Sequence, residues 1–132
     1  MDAPTFENLD LACAKVGKTM AEMPSKELEN LVTSALAVLE EQGMYALFLF
    51  LEAQTKKNKE ISKGIRDELS KFLKVTPKQA PLLCSSSVDI FASLQQMAED
   101  LDNLLLARDL VRQSLVYARY HARIQEKSEV GT

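Results

Sequence analysis

The interval between apolar residues restricts this chain more than any other feature. They fall three and four apart through almost every stretch, and breaking residues are rare, with four glycines and four prolines in 132 residues. Apolar side chains at that spacing share one face of a helix, whereas a strand against a core alternates at every second residue. In the first stretch Phe6, Leu9, Cys13, Val16, Met20 and Met23 follow one stripe. That stripe predicts a helix opened by Thr5 as N-cap and ended by Pro24, with Cys13 as a small core residue. Ser25 is positioned to cap a second helix, whose broad apolar face holds Leu28, Leu31, Val32, Ala35, Leu36, Val38 and Leu39 and whose stop is Gly43.

The segment Met44–Leu51 is apolar all round and has no second strand to pair with, so it reads as a short buried helix at the centre of the core. A polar joint over Glu52–Lys57 leads to a helix from about Asn58 to Lys74 that turns Ile61, Ile65, Leu69, Phe72 and Leu73 inward. Val75–Pro81, with two prolines, is the clearest loop. Ser85, Ser86 and Ser87 are N-cap candidates for a helix through Val88, Phe91, Leu94 and Met97, and the acidic Glu99–Asp102 run either kinks that helix or begins another. The last helix is expected to end near Gln125. The expected fold is all-α: a single compact bundle of about five or six helices in one domain over residues 1–132, closed by a long C-terminal helix, with frayed tails at 1–4 and 126–132.

Composition narrows the function. Hydrophobic residues make up 46% of the chain, enough for a core without disulfide or metal. Two cysteines, Cys13 and Cys84, form no CxxC site and point to a reducing, cytoplasmic compartment. The N-terminus lacks the basic and apolar regions of a secretory signal, and the eight-residue run Met44–Leu51 is too short to span a bilayer. His121 is the single histidine, which excludes a paired Glu-x-x-His di-iron site; beside Tyr117 and Leu110 it reads as a packing residue. Glu40 and Glu41 read as a solvated helix face rather than an acid/base pair. No phosphate loop, HExxH or GxSxG occurs, so no catalytic residue, cofactor site or metal site is assigned and the chain is expected not to be an enzyme.

Charge is distributed unevenly. The net charge is −3, but residues 1–54 carry three lysines against nine carboxylates, a net −6, while residues 55–132 carry 13 bases against ten acids, a net +3. On the last helix, turning about 100° per residue from Arg108 places Arg112 near 40°, Arg119 near 20° and Arg123 near 60°, a stripe roughly 22 Å long. On the helix over 58–74, Lys63 lies near 40°, Arg66 near 340° and Lys74 near 60° from Lys59, and Lys56 and Lys57 extend that row. Two rows of cations directed away from a core suit the regularly spaced charges of a polyphosphate backbone, which arginine also binds bidentately. Asp109 and Glu60 stand within local pairing reach of some of these bases. Tyr120 and Tyr45 are the aromatic candidates for stacking on unpaired bases, and both read as core or boundary residues, which favours backbone recognition.

The stretch Leu36–Leu51, followed by the polar joint and residues 57–61, resembles the small subunit of type III-B CRISPR effector complexes, the Cmr complex. That family carries a helix ending in a polar residue plus glycine, then a short apolar helix of the Gly-Leu-x-x-Ala-Leu-Ala-Phe-Leu kind. Gly43, Met44, Ala46, Leu47, Phe48, Leu49 and Phe50 lie on this pattern, with Met44 in place of the usual leucine. The family's closing helix runs through aliphatics, an aromatic and then basic residues, which Leu110–Arg123 with Tyr117, Arg119 and Tyr120 matches; Tyr117 stands where a Trp-type aromatic is usual. The resemblance implies an all-helical, non-catalytic subunit that stacks on copies of itself and on other effector subunits. It further implies contact with the backbone of the target strand in the guide:target RNA duplex through basic residues, for which Arg108, Arg112, Arg119, Arg123, Lys59, Lys63, Arg66 and Lys74 are the candidates. The residues alone also admit a helical adaptor or regulator that self-associates or binds an acidic protein partner.

Overall fold

The structure, a computed structural model, describes residues 7–23, 25–84 and 89–130, with side chains as far as residue 125. It is all-helical: among the described residues there are six α-helices and no strand. In order they are α1 (Leu9–Ala21), α2 (Leu28–Gln42), α3 (Met44–Glu52), α4 (Lys59–Val75), α5 (Ile90–Met97) and α6 (Leu101–Val130), with one 3-10 turn over Lys56–Asn58 before α4.

Short polar side chains cap the starts of three of the six helices, α1, α5 and α6. Asn8 Oδ1 accepts from Leu11 N at 2.9 Å, so α1 starts at Leu9; the expected cap Thr5 lies outside the described residues. Ser25 Oγ accepts from Glu27 N at 3.0 Å, ahead of the first turn of α2 rather than on it. Gly43 has φ 96° and ψ −173°, a conformation that residues with a Cβ rarely adopt. Its N–H donates to Leu39 O at 3.0 Å and its carbonyl accepts from Leu47 N at 3.0 Å, so one residue ends α2 and starts α3. Asp89 caps α5 by accepting from Phe91 N at 3.0 Å; the Ser85–Ser87 run and Val88 lie outside the described residues. Asp100 Oδ1 accepts from Asn103 N at 3.2 Å, so the acidic run opens a new helix instead of kinking the old one. That helix, expected to end near Gln125, continues to Val130.

The loop after α4 is longer than its prolines suggest. Leu82 N and Leu83 N both donate to Leu73 O at 3.1 Å, which folds the loop back over the last turn of α4 and buries both leucines. At the other end of α4 the buried Ser62 Oγ donates to Leu51 O at 2.5 Å and so ties α4 to the C-terminus of α3. The five inward residues expected on α4 are all buried. The third helix differs from expectation. Met44, Leu47, Phe48 and Leu51 are buried, but Tyr45 and Leu49 are exposed, because α2, α4 and α5 cover only part of this short helix.

The long α6 is the spine. Cys13 Sγ lies 3.4 Å from Leu110 O and Gly17 meets Ser114, Tyr117 and Ala118, so α1 runs alongside α6 in the same direction. α2 runs the opposite way, with Glu40 beside Arg108 and Arg112 and Glu29 beside Arg123. The α1–α6 approach is limited by atoms rather than by side-chain flexibility. A Cβ on Gly17 would stand 2.6 Å from Tyr117 Cβ and 2.8 Å from both Ala118 N and Ser114 O. The buried Ala118 and Ser114 keep the facing surface low, and Ser114 Oγ satisfies itself by donating to Leu110 O at 2.8 Å. Tyr117 leaves this contact with its hydroxyl donating to Asp10 Oδ1 at 2.7 Å, which raises the phenol pKa above its ordinary value.

Gly17→Ala is expected to destabilise the protein by about 1–3 kcal/mol despite alanine's better helix propensity, because backbone must move to admit the methyl group. Gly64→Ala is expected to cost under about 0.5 kcal/mol, since the new Cβ would meet only the flexible Sδ and Cε of Met23. Urea unfolding of the two variants side by side checks the contrast. The raised phenol pKa means that the neutral form is favoured by folding. The Tyr117 contribution is therefore complete below the ordinary tyrosine range and lost as pH rises through the folded value. Alkaline absorbance titration of wild type against Tyr117→Phe should lose a tyrosine that titrates above the ordinary range.

Candidate nucleic-acid interface

The arginine stripe of α6 forms as the helical period requires, but it is turned toward α2. Arg108 Nη2 donates to the Glu40 carbonyl at 3.1 Å and lies 3.7 Å from Glu40 Oε2. Arg112 Nε stands 3.6 Å from Glu40 Oε1, and its Nη2 stands 3.8 Å from Asp109 Oδ1 one turn earlier. Arg123 Nε donates to Glu29 Oε1 at 2.5 Å, the tightest of these pairs and the least exposed. Arg119 is half-buried, with its Nε buried and without a hydrogen-bond partner. Three of the four guanidinium groups are therefore engaged by carboxylates of the same chain and do not face outward unopposed. The cause is the antiparallel course of α2, which sets Glu29 and Glu40 opposite the stripe. Glu40, read from the sequence as part of a solvated face, bridges two arginines.

The row on α4 is placed differently. The buried Ile61, Ile65, Leu69 and Leu73 hold the other side of the helix in the core, which leaves Lys59 and Lys63 exposed and Lys74 half-buried. Among the described residues no carboxylate lies within 4 Å of these three lysines, nor of Lys56 and Lys71, both exposed. Arg66 is the exception in this row: its Nη1 is engaged by Glu52 and its Nε is 3.8 Å from Asp67 Oδ1. Lys57 pairs with Glu27 at 3.3 Å. Lys71, near 120° on the wheel, falls outside the narrow stripe that the periodicity selects, so angular clustering alone passes over it.

Groups suited to chemistry do not converge. Burial pushes the Cys13 thiol pKa up, with Asp10 adding to the rise and the hydrogen bond with Ser114 opposing it, so the thiolate is disfavoured. Among the described residues no three of His, Cys, Asp and Glu gather as a metal site, and no helix is long and apolar enough to cross a membrane. Tyr120 is exposed on α6, and Tyr45 packs its ring against Phe91 with centroids 5.4 Å apart. No family model, curated protein or solved structure matches the chain.

The pairs along α2 and α6 are partly exposed, so each is worth about 0.5–1 kcal/mol or less at low ionic strength. Glu40→Gln is expected to lose about that much stability in dilute buffer. The loss should shrink toward zero in 1 M NaCl, where the screening length is about 3 Å. Urea midpoints at the two salt concentrations measure it.

Proposed function

We propose that this chain is a non-catalytic helical subunit of a CRISPR RNA-guided effector complex, the role implied by its resemblance to the Cmr small subunit, and that it meets the target RNA backbone with α4. The observation that carries this reading is the set of lysines on α4 that, among the described residues, have no carboxylate within 4 Å. Lys59, Lys63 and Lys74 span roughly 22 Å along one side of a helix whose other side is core. Ammonium groups spaced along a rod track phosphates without reading bases. Gly43 adds support, since the motif that carries the resemblance is the corner joining α2 to α3. Arg108, Arg112 and Arg123 act in this reading as the clamp between α2 and α6, with backbone contact a secondary role. With a net charge of −3 the lone chain has weak long-range attraction for RNA, and stacking on copies of itself and on neighbouring subunits supplies avidity.

A second reading, a helical adaptor for a protein partner, is favoured by one observation. Leu101 and Leu105, and again Tyr120 and Ile124, are exposed apolar pairs four residues apart on α6.

Anisotropy titration of labelled single-stranded RNA with the full chain, repeated across salt concentrations, tests the first reading. Replacing Lys59, Lys63 and Lys74 with Glu is expected to weaken binding to every sequence. It should also flatten the slope of log K against log salt by about 2, from three contacts at about 0.7 each. Replacing Arg108, Arg112 and Arg123 with Gln is expected to lower the unfolding midpoint with a smaller change in that slope. Unchanged binding and slope in the lysine variant would overturn the reading. Self-association or protein capture that persists without nucleic acid and is lost in Tyr120→Ser with Ile124→Ser would favour the adaptor.

A further inference from the structure

A small cavity of about 260 Å³ lies between loop residues 81–84, the second half of α5 and the start of α6. Leu82, Leu83 and Met97 are buried and give it an apolar base. Its polar lining, Cys84, Ser93, Gln96 and Asn103, carries no charged side chain. Cys84 presents an exposed thiol, whereas Cys13 is 1% exposed and lies against Leu110 O. Ser93 is only 4% exposed, and its buried Oγ has no hydrogen-bond partner. The other two buried serines differ in this respect: Ser62 donates to Leu51 O and Ser114 to Leu110 O. A buried hydroxyl without a partner costs stability, and rotation about one bond is enough to direct its proton into the cavity that Ser93 lines.

We propose that Cys84 is a modification site, forming a mixed disulfide with a small aminothiol of the cysteine class whose carboxylate accepts from Ser93 Oγ in this cavity. The uncharged lining offers no counter-charge to a phosphate or a metal cation, while a zwitterion carries its own. The carboxamides of Gln96 and Asn103 supply both donors and acceptors, as the ammonium and carboxylate of an amino acid require. The volume lies below the roughly 300–1,000 Å³ of pockets for drug-sized ligands, which suits an adduct of amino-acid size. In the step itself the Cys84 thiolate attacks one sulfur of cystine. One S–S bond forms and one breaks, and the departing thiolate takes up the proton that Cys84 gave up, so no further oxidant is consumed. The site is separate from the lysine row of α4 and does not rest on it.

Incubating the full native chain with cystine, followed by intact mass and peptide mapping, is expected to add one cysteinyl group, at Cys84 and not at Cys13. Exposure alone would select the same thiol, so the deciding quantity is the equilibrium constant of the exchange. In the native chain it should exceed the value in urea by about fivefold, the weight of one net hydrogen bond. Ser93→Ala removes an unbonded hydroxyl and should fold at least as stably as wild type, yet abolish that fivefold gain. Its rate of alkylation by iodoacetamide, which has no carboxylate to place, should be unchanged. Gln96→Ala, at an exposed position, should lower the exchange constant in the same direction and keeps the test open if Ser93→Ala folds poorly. Glutathione disulfide, whose adduct is larger than the cavity, is expected to give a smaller constant than cystine. No adduct at Cys84, equal constants in native and unfolded chain, a constant indifferent to both substitutions, or no preference for cystine over glutathione disulfide would overturn the proposal.

Discussion

The contact between α1 and α6 at Gly17 governs the remaining geometry. With no side chain on Gly17 and small residues at Ser114 and Ala118, the two backbones approach until a single added carbon would overlap three atoms. Close packing over a long interface makes α6 a rigid spine, because dispersion contacts accumulate only when surfaces meet without gaps. α2 then covers an adjoining side of that spine in the antiparallel direction, and α3, turned out of α2 by Gly43, carries the chain across to α4.

That arrangement decides which charges remain available. The acidic first half and basic second half of the chain are neutralised in part by each other, Glu29 and Glu40 of α2 against Arg123, Arg108 and Arg112 of α6. Each pair contributes little stability on its own because water and salt compete for the charges. Their larger effect is on availability: the guanidinium groups of α6 are answered by carboxylates, while among the described residues Lys59, Lys63 and Lys74 of α4 have no carboxylate within 4 Å. A cation row is a binding surface only to the extent that the fold leaves it uncompensated.

The α4 helix joins core and surface in one element. Its buried side is fixed at the two ends, by Ser62 on the Leu51 carbonyl and by the returning loop on the Leu73 carbonyl. Holding both ends keeps the exposed lysines in register with one another and sets Lys71 and Lys74 beside the start of α5. A shallow groove there is a product of that seating, lined by Val75 on one helix and Phe91 on another, sixteen residues apart in the chain.

How much could be read in advance follows from the range of the forces involved. Apolar spacing acts within one helix, so the all-α class, the stop at Gly43 and the inward set Ile61, Ile65, Leu69, Phe72 and Leu73 are visible in the chain itself. The alignment of Arg108, Arg112 and Arg123 is visible for the same reason. What faces that alignment is not, because Glu29 and Glu40 lie more than sixty residues away, and only the docking of α2 on α6 brings them near. Gly17 was equally hidden: it interrupts no apolar pattern, and its importance lies in a neighbour about a hundred positions further on. Periodicity is a property of one helix, whereas compensation of charge and closeness of approach belong to pairs of helices, and chain order does not encode their distances.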